Sequence, residues 1–130
     1  MKNILLIDDS ENFYRIINNE IFEKNESFKN LVTLTYANNG FDGIVEVGKS
    51  KPDLIILDFS MIGLNGFETA TIIKRNENYK DIPIIFISSN KTIIDEVHGL
   101  MLGGYEYLPK NSNISNTMNI IKEYLKLDIR

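Results

Sequence analysis

Apolar and polar positions alternate in blocks along the chain, with five short apolar segments separated by longer mixed ones. Residues 4–7, 54–57 and 82–87 are apolar runs rich in β-branched side chains, which is typical of strands covered on both faces of a parallel sheet. Residues 31–36 and 105–108 are less purely apolar and are predicted to form two further strands. The pattern therefore predicts a sheet of five strands.

The segments between these strands predict helices. In the first, Phe13, Ile16, Ile17 and Ile21 recur at the spacing of an amphipathic helix. The other helices are predicted over residues 41–49, 66–76, 93–101 and 115–127. Polar residues that favour N-caps precede three of them: Asn39, Asn65, and Ser112 or Asn113. The polar residues 23–30 are expected to form a loop between the first helix and the second strand.

Strand and helix are thus expected to alternate through all 130 residues. Such alternation implies right-handed crossover connections and helices on both faces of the sheet. The predicted fold is α/β, a doubly wound, flavodoxin-like (βα)5 parallel sheet in the strand order 2-1-3-4-5. Because a chain of this length has the size of one compact domain, residues 1–130 are expected to form a single domain.

Three aspartates stand where predicted strands end. Asp8 and Asp9 follow the first strand, and Asp58 follows the third. Ligands of open parallel sheets bind beyond the carboxyl ends of the strands where the strand order reverses, which here is between the first and third strands. Clustered carboxylates repel one another unless a cation joins them, and oxygen ligands in a small site favour Mg²⁺, with Mn²⁺ as a plausible substitute. A competing interpretation is that Asp9 or Ser10 only caps the first helix.

The composition narrows the classes of partner and metal site. A formal net charge of -4 offers no basic surface for direct binding of nucleic acid or anionic membranes. With no cysteine and the single histidine His98, any metal has to be held by oxygen. No stretch approaches the roughly 18 apolar residues of a membrane span, and the N-terminal apolar run is too short for a secretion signal. We therefore expect a cytoplasmic protein whose partners are other proteins.

Across essentially its whole length the sequence resembles the receiver domain of response regulators, the phosphorylated component of bacterial two-component signalling. The resemblance rests on an ordered set of residues: the pair Asp8 and Asp9, then Asp58, Ser88, Tyr107 and Lys110. Each of them has an ordinary alternative, since a serine can start a helix, a tyrosine can fill a core and a lysine after a strand is usually solvated. Their common order is what indicates a receiver domain, similar to the single-domain chemotaxis regulators.

The resemblance implies that Asp58 accepts a phosphoryl group from a histidine kinase, a phosphotransfer protein or a small donor such as acetyl phosphate. It also implies a Mg²⁺ site in which Asp9 binds directly, Asp8 through water, Asp58 through a carboxylate oxygen and Ser60 through its backbone carbonyl. Lys110 would neutralise the phosphoryl oxygens. Such a protein is a phosphoacceptor that assists its own phosphorylation and dephosphorylation, and not an enzyme in the ordinary sense.

By the same resemblance, Ser88 would bond a phosphoryl oxygen, and the position of Tyr107 would report that movement as a two-state switch. The output would be a protein-interaction face formed by the predicted fourth helix, fifth strand and fifth helix. That face would bind an unknown downstream protein, or hold a weak dimer if the chain is not a monomer. The sequence is compatible with a stand-alone regulator and with a receiver from a longer protein.

Two positions depart from the family pattern. Receiver domains usually carry proline four residues after the phosphoacceptor, where this chain has Ile62, and proline directly after the lysine, where it has Asn111. The second proline is usually joined by a cis peptide. A cis bond before a residue other than proline costs roughly 2.5 to 4 kcal/mol, so the Lys110–Asn111 peptide is predicted to be trans.

Other functions are compatible with the same sheet. A phosphatase with an aspartyl nucleophile requires a second acid two residues later, where this chain has Ser60. A flavodoxin-type carrier of FMN requires a phosphate-binding loop after the first strand, where Asp8 and Asp9 would repel phosphate. The main alternative is a degenerate receiver that binds partners without phosphorylation, and the intact Asp9, Asp58, Ser88 and Lys110 argue against it.

Overall fold

In a computed structural model, residues 1–89 and 106–128 are described. Within them five parallel strands form one sheet in the order β2-β1-β3-β4-β5, which confirms the predicted fold class and strand order. The strands are β1 Lys2–Ile7, β2 Val32–Ala37, β3 Leu54–Asp58, β4 Ile84–Ser88 and β5 Glu106–Pro109. Because β1 pairs with both β2 and β3, the chain reverses its direction of winding at β1.

The helices of the described residues are α1 Glu11–Ile17, α2 Glu26–Leu31, α3 Gly40–Ser50, α4 Gly66–Arg75 and α5 Ile114–Leu125. A π-helical segment, Asn18–Glu23, continues α1. The predicted first, second, third and fifth helices are confirmed as α1 with its extension, α3, α4 and α5. The predicted fourth helix, residues 93–101, lies outside the described part of the chain. No helix of the described residues is long and apolar enough to cross a membrane.

The loop expected over residues 23–30 is a wrong prediction, because most of it folds as α2. This six-residue helix is attached to the core by one side chain, the fully buried Phe28. The Phe28 ring meets the ring of Phe22 edge to face at 5.8 Å. A helix with a single buried aromatic residue has no apolar period to detect, so the sequence pattern could not reveal it.

Both faces of the sheet are covered, as the continuous apolar strands predict. In β1, Ile4 and Leu6 pack into one cluster, and Leu5 and Ile7 into the other. All four side chains are completely buried. Side chains alternate between the two faces along a strand, so the part of a strand that is buried on both faces is apolar at consecutive positions. In β1 this part is residues 4–7, and Asp8 follows it directly.

Asparagines start three of the helices: Asn39 and Asn65 as predicted, and Asn113 of the two predicted alternatives Ser112 and Asn113. The side chains of Asn39, Asn65 and Asn113 each accept a hydrogen bond from the third backbone amide of the following helix. Asn65 and Glu68 complete a capping box, which satisfies two otherwise unpaired amides at the start of α4. Because α4 follows the loop after β3, this cap fixes the end of the loop that begins at Asp58.

Gly66 brings α4 against the backbone of the residue at the end of β3. A Cβ atom at Gly66 would lie 2.3 Å from the carbonyl oxygen of Asp58 and 2.6 Å from the Cα of Phe59. The Gly66→Ala variant is therefore expected to lose roughly 1 to 3 kcal/mol of unfolding free energy, measured by urea denaturation. Gly48→Ala is the matched control, because its Cβ would meet only the Tyr79 hydroxyl at 3.4 Å. Equal losses in the two variants would contradict this account.

Candidate functional site

The carboxyl ends of β1 and β3 bring Asp8, Asp9 and Asp58 together, as the sequence predicts. One carboxylate oxygen from each residue lies within 4.8 Å of the others. Asp8 is fully buried and Asp58 is 4% exposed, whereas Asp9 is exposed. The group is therefore a pair of buried acids with a third acid at the solvent edge.

A backbone amide holds one oxygen of each carboxylate. The amide of Ser10 donates to Asp8 Oδ1 at 3.0 Å, and the amide of Ser60 donates to Asp58 Oδ1 at 3.2 Å. Asp9 Oδ2 accepts from the amide of Ile62 at 3.1 Å. Ser10 is the N-cap residue of α1 but makes no side-chain capping bond. The carboxylate of Asp9 is bonded across the site, so the simple capping interpretation of Asp9 and Ser10 is not supported.

Lys110 provides a positive charge to the two buried acids. Its Nζ lies 2.8 Å from Asp8 Oδ2 and 3.4 Å from Asp58 Oδ2. The position of the lysine follows from the sheet, because its backbone amide donates to the carbonyl of Ser88 at 3.0 Å directly beyond β5. No cis peptide occurs among the described residues, which confirms the predicted trans bond between Lys110 and Asn111. Lys110 therefore reaches the two acids with a trans peptide before Asn111, although receiver domains usually have a cis-proline at that position.

The electrostatics show an excess of negative charge. Burial, the charge of Asp8 and a hydrogen bond with Asp8 raise the pKa of Asp58 to about 7, although Lys110 and the Ser60 amide act to lower it. Burial acts to lower the pKa of Lys110, but its contacts with Asp8 and Asp58 prevail and raise that pKa above its ordinary value. Without a further cation, Asp58 therefore holds a proton more readily than an ordinary aspartate, and a bound divalent cation would compete with that proton.

Ser88 and Tyr107 lie on one face of neighbouring strands. Ser88 is the last residue of β4 and is 2% exposed, and Tyr107 lies in β5 opposite Phe86 of β4. The rings of Tyr107 and Phe86 stack at 5.9 Å, and the ring of Phe86 meets that of Phe59 edge to face at 5.6 Å. A row of aromatic rings thus links Tyr107 to the residue that directly follows Asp58.

An open cavity of about 400 Å³ gives access to Asp9 and Asp58. Asp9, Asp58, Ser60 and Lys110 line it together with Ser89, which the sequence analysis did not select. Ser89 lies just beyond the end of β4 and is exposed, whereas its neighbour Ser88 is buried. Its position at the end of a predicted strand, next to Ser88, is the sequence feature that could have identified Ser89.

Tyr36 is a second residue that the sequence analysis missed. Its hydroxyl donates to the carbonyl oxygen of Asp8 at 2.7 Å, and its ring stacks on that of Tyr14 at 4.8 Å. The backbone of the first aspartate is therefore held by a side chain from the end of β2. The order of strands in space, and not the pattern of the chain, brings Tyr36 to Asp8.

Tyr36→Phe is expected to lower the free energy of unfolding by about 1 kcal/mol, because it removes this hydrogen bond while the ring stack stays. Urea denaturation measures the loss. The control is Tyr14→Phe, which keeps both the stack and the Tyr36 hydroxyl and should change stability by less than half as much. If both variants lost the same stability, the hydroxyl bond to Asp8 would not be the cause.

Sequence comparisons agree with one family. The model of a family described as response regulator receiver domain matches residues 4–122. Protein PilH of Pseudomonas aeruginosa is 31% identical over 111 residues, which are 85% of this chain and 86% of that protein. Protein PilG of the same organism is 30% identical over 87 residues, 67% of this chain and 64% of that protein. The transcriptional regulatory protein YvrH of Bacillus subtilis is 32% identical over 95% of this chain, but the match spans only 49% of that protein.

Solved structures show the same fold. The Vibrio cholerae chemotaxis protein CheY4 superimposes with a TM-score of 0.79 at 20% identity, covering 95% of this chain and 98% of that one. A response regulator from Desulfuromonas acetoxidans superimposes with a TM-score of 0.79 at 22% identity, covering 99% and 100%. At these identities the structures support the architecture alone.

Proposed function

This chain belongs to the family of response regulator receiver domains of two-component signalling, and on that premise we propose that it is a Mg²⁺-dependent phosphoacceptor. Asp58 accepts the phosphoryl group from a histidine kinase or a phosphotransfer protein. The observation that carries the proposal is the position of Asp58, a buried acid at the end of β3 with Lys110 at 3.4 Å and two further aspartates in reach. A buried acid in such surroundings needs a positively charged partner.

The donor set suits Mg²⁺. Asp9 would bind directly, Asp8 through water, Asp58 through a carboxylate oxygen and Ser60 through its backbone carbonyl. Three carboxylates in reach of one point favour an added divalent cation, because such an ion would offset the charge of Asp8 that contributes to the raised pKa of Asp58. Bound there, Mg²⁺ would offset the negative charge of the acids and of an incoming phosphoryl group. Mn²⁺ prefers similar ligands and should substitute.

The transfer itself requires alignment and charge neutralisation. An oxygen of Asp58 forms a bond to phosphorus while the bond from phosphorus to the donor histidine nitrogen breaks, and the electron pair of that bond leaves with the nitrogen. The product is an aspartyl phosphate. Lys110, which contacts Asp8 and Asp58 before the reaction, follows the new charge and bonds a phosphoryl oxygen. The chain is therefore its own substrate and not an enzyme acting on others.

Ser88 and Tyr107 would transmit the phosphorylation of Asp58 to the output face. The Ser88 hydroxyl bonds a phosphoryl oxygen, and Tyr107, stacked on Phe86, changes its position on the same face of the sheet. The output face then consists of β5, α5 and the predicted fourth helix, whose residues 93–101 lie outside the described part. We infer that an unknown downstream protein binds this face, or that the face forms a weak dimer if the chain is not a monomer.

The same proposal includes a single receiver domain over residues 1–130 and a cytoplasmic location. It also includes no direct binding of nucleic acid or membrane.

The proposal is tested by adding Mg²⁺ with acetyl phosphate and recording the intact mass. One phosphoryl group should be gained, and chelation of the metal with EDTA should prevent it. In a separate sample, Mg²⁺ with beryllium fluoride, an analogue of the phosphoryl group, should shift the NMR signals of Ser88 and Tyr107. Folded protein that gains no phosphoryl group and shows no shifts would overturn the proposal in favour of the alternative, a degenerate receiver that binds partners without phosphorylation.

A further inference from the structure

One of the three amides that hold the carboxylates differs from the others in its origin. The amides of Ser10 and Ser60 lie two residues after the aspartates that they bond, so each bond forms within a single turn. The amide of Ile62 lies 53 residues from Asp9. This bond therefore joins the turn after β1 to the loop after β3 at the site.

Of the three aspartates, Asp9 is the one whose side chain most depends on a hydrogen bond to fix its orientation. Asp8 and Asp58 are buried, and both lie in reach of Lys110. Asp9 is exposed, and an exposed side chain moves between rotamers unless something fixes it. The hydrogen bond occupies Oδ2 of Asp9 and holds the carboxylate where a ligand oxygen lies within 4.8 Å of those of the other two aspartates.

The side chain of Ile62 has no comparable role. It is 91% exposed, so it adds little to the core, and what residue 62 brings to the site is its backbone N–H. A proline at this position has no N–H and could not make the bond. The residue type at position 62 thus decides whether the bond to Asp9 exists.

We propose that the backbone amide of Ile62 is a positioning group that holds Asp9 ready to bind the metal ion of the phosphorylation site. The proposal rests on the proposed function, since it concerns the same Mg²⁺ site. Groups that orient a metal ligand raise affinity because the ligand need not be ordered when the ion binds. Loss of the amide should weaken Mg²⁺ binding roughly five- to tenfold, and the phosphoryl transfer at saturating Mg²⁺ should stay within about twofold.

Two variants remove the N–H and one keeps it. Ile62→Pro removes it but also restricts Met61. Replacement of Ile62 by its α-hydroxy acid changes only the amide to an ester and leaves the backbone otherwise free. Ile62→Ala keeps the N–H and removes most of the exposed side chain. Isothermal titration with MgCl2 gives the affinity of each, and urea denaturation shows that each is folded.

Weaker Mg²⁺ binding by the proline and ester variants, with Ile62→Ala within about twofold of wild type, is the expected result. The Mg²⁺ concentration for half-maximal labelling by acetyl phosphate should rise in parallel, which a purely structural defect would not produce. Wild-type affinity in the folded ester variant, or an equal loss in Ile62→Ala, would overturn this inference and leave the proposed function intact. A wild-type protein that binds no Mg²⁺ would overturn both.

Discussion

Asp58→Asn is expected to abolish phosphorylation and, at the same time, to make the metal-free protein more stable at neutral pH. Asparagine has nearly the shape of aspartate and keeps an oxygen for the Ser60 amide, which donates to Asp58 Oδ1. It offers no carboxylate to attack phosphorus, so the intact mass after incubation with Mg²⁺ and acetyl phosphate should be unchanged. It also removes a negative charge that is buried beside Asp8.

The sign of the stability change follows from the pKa. Because the pKa of Asp58 is raised from 3.8 to about 7 in the fold, the folded state favours the protonated acid. The wild-type protein therefore loses stability as the pH rises between these two values, and the loss is complete above about 7. Asp58→Asn should be more stable than wild type by roughly 1 to 3 kcal/mol at pH 8, and by much less at pH 4.

Urea denaturation of both proteins at pH 4 and pH 8, with EDTA present, measures this difference. Saturating Mg²⁺ should reverse it at pH 8, because a ligand that binds only the folded state stabilises that state, and the variant lacks one of the ligand oxygens. The exposed Asp128→Asn is the control for a lost negative charge and should match wild type at either pH. If Asp58→Asn were less stable than wild type in EDTA at pH 8, the conclusion that the charge of Asp58 destabilises the folded state would be wrong.

Lys110→Met is expected to slow labelling by acetyl phosphate roughly 100- to 1000-fold, the effect of removing one preorganised charge from a transition state. Methionine keeps much of the length of the side chain and loses the ammonium group that lies 2.8 Å from Asp8 and 3.4 Å from Asp58. Metal binding should respond differently. Since Lys110 and Mg²⁺ offset the same carboxylates, the variant should bind Mg²⁺ at least as tightly as wild type.

The two measurements distinguish the roles of the lysine. The initial rate of labelling at saturating Mg²⁺ reports the transfer step, and isothermal titration reports the metal. Lys49→Met, which alters an exposed lysine in the last turn of α3, controls for the loss of one positive charge and should match wild type in both. A labelling rate of Lys110→Met within threefold of wild type would remove the lysine from the transfer step.

The fold was largely predictable because its strands are buried on both faces. Over its buried length such a strand is a run of consecutive apolar residues, as at residues 4–7 of β1, 54–57 of β3 and 84–87 of β4, and this signal does not depend on what the strand packs against. The N-caps Asn39, Asn65 and Asn113 are equally local, since each bonds an amide three residues away. The error at α2 has the opposite cause, because Phe28 is buried by contacts that only the folded chain makes.

The candidate site was also predictable only in part. That Asp8, Asp9 and Asp58 gather at one point follows from the sequence, because the carboxyl ends of adjacent parallel strands meet at one edge of the sheet. The contacts that fix their geometry do not. Tyr36 reaches the carbonyl of Asp8 across the β1–β2 pairing. The ammonium group of Lys110 contacts both Asp8, which follows β1, and Asp58, which ends β3.

By itself, the sequence determined which residues form the strands, where the acids stand and that they meet, because these depend on local apolar patterns and on the direction of parallel strands. The tertiary structure alone decided which groups hold each acid. Hydrogen bonds and charge contacts depend on ångström distances between segments such as Asp9 and Ile62, 53 residues apart, and no periodicity along the chain encodes such a distance.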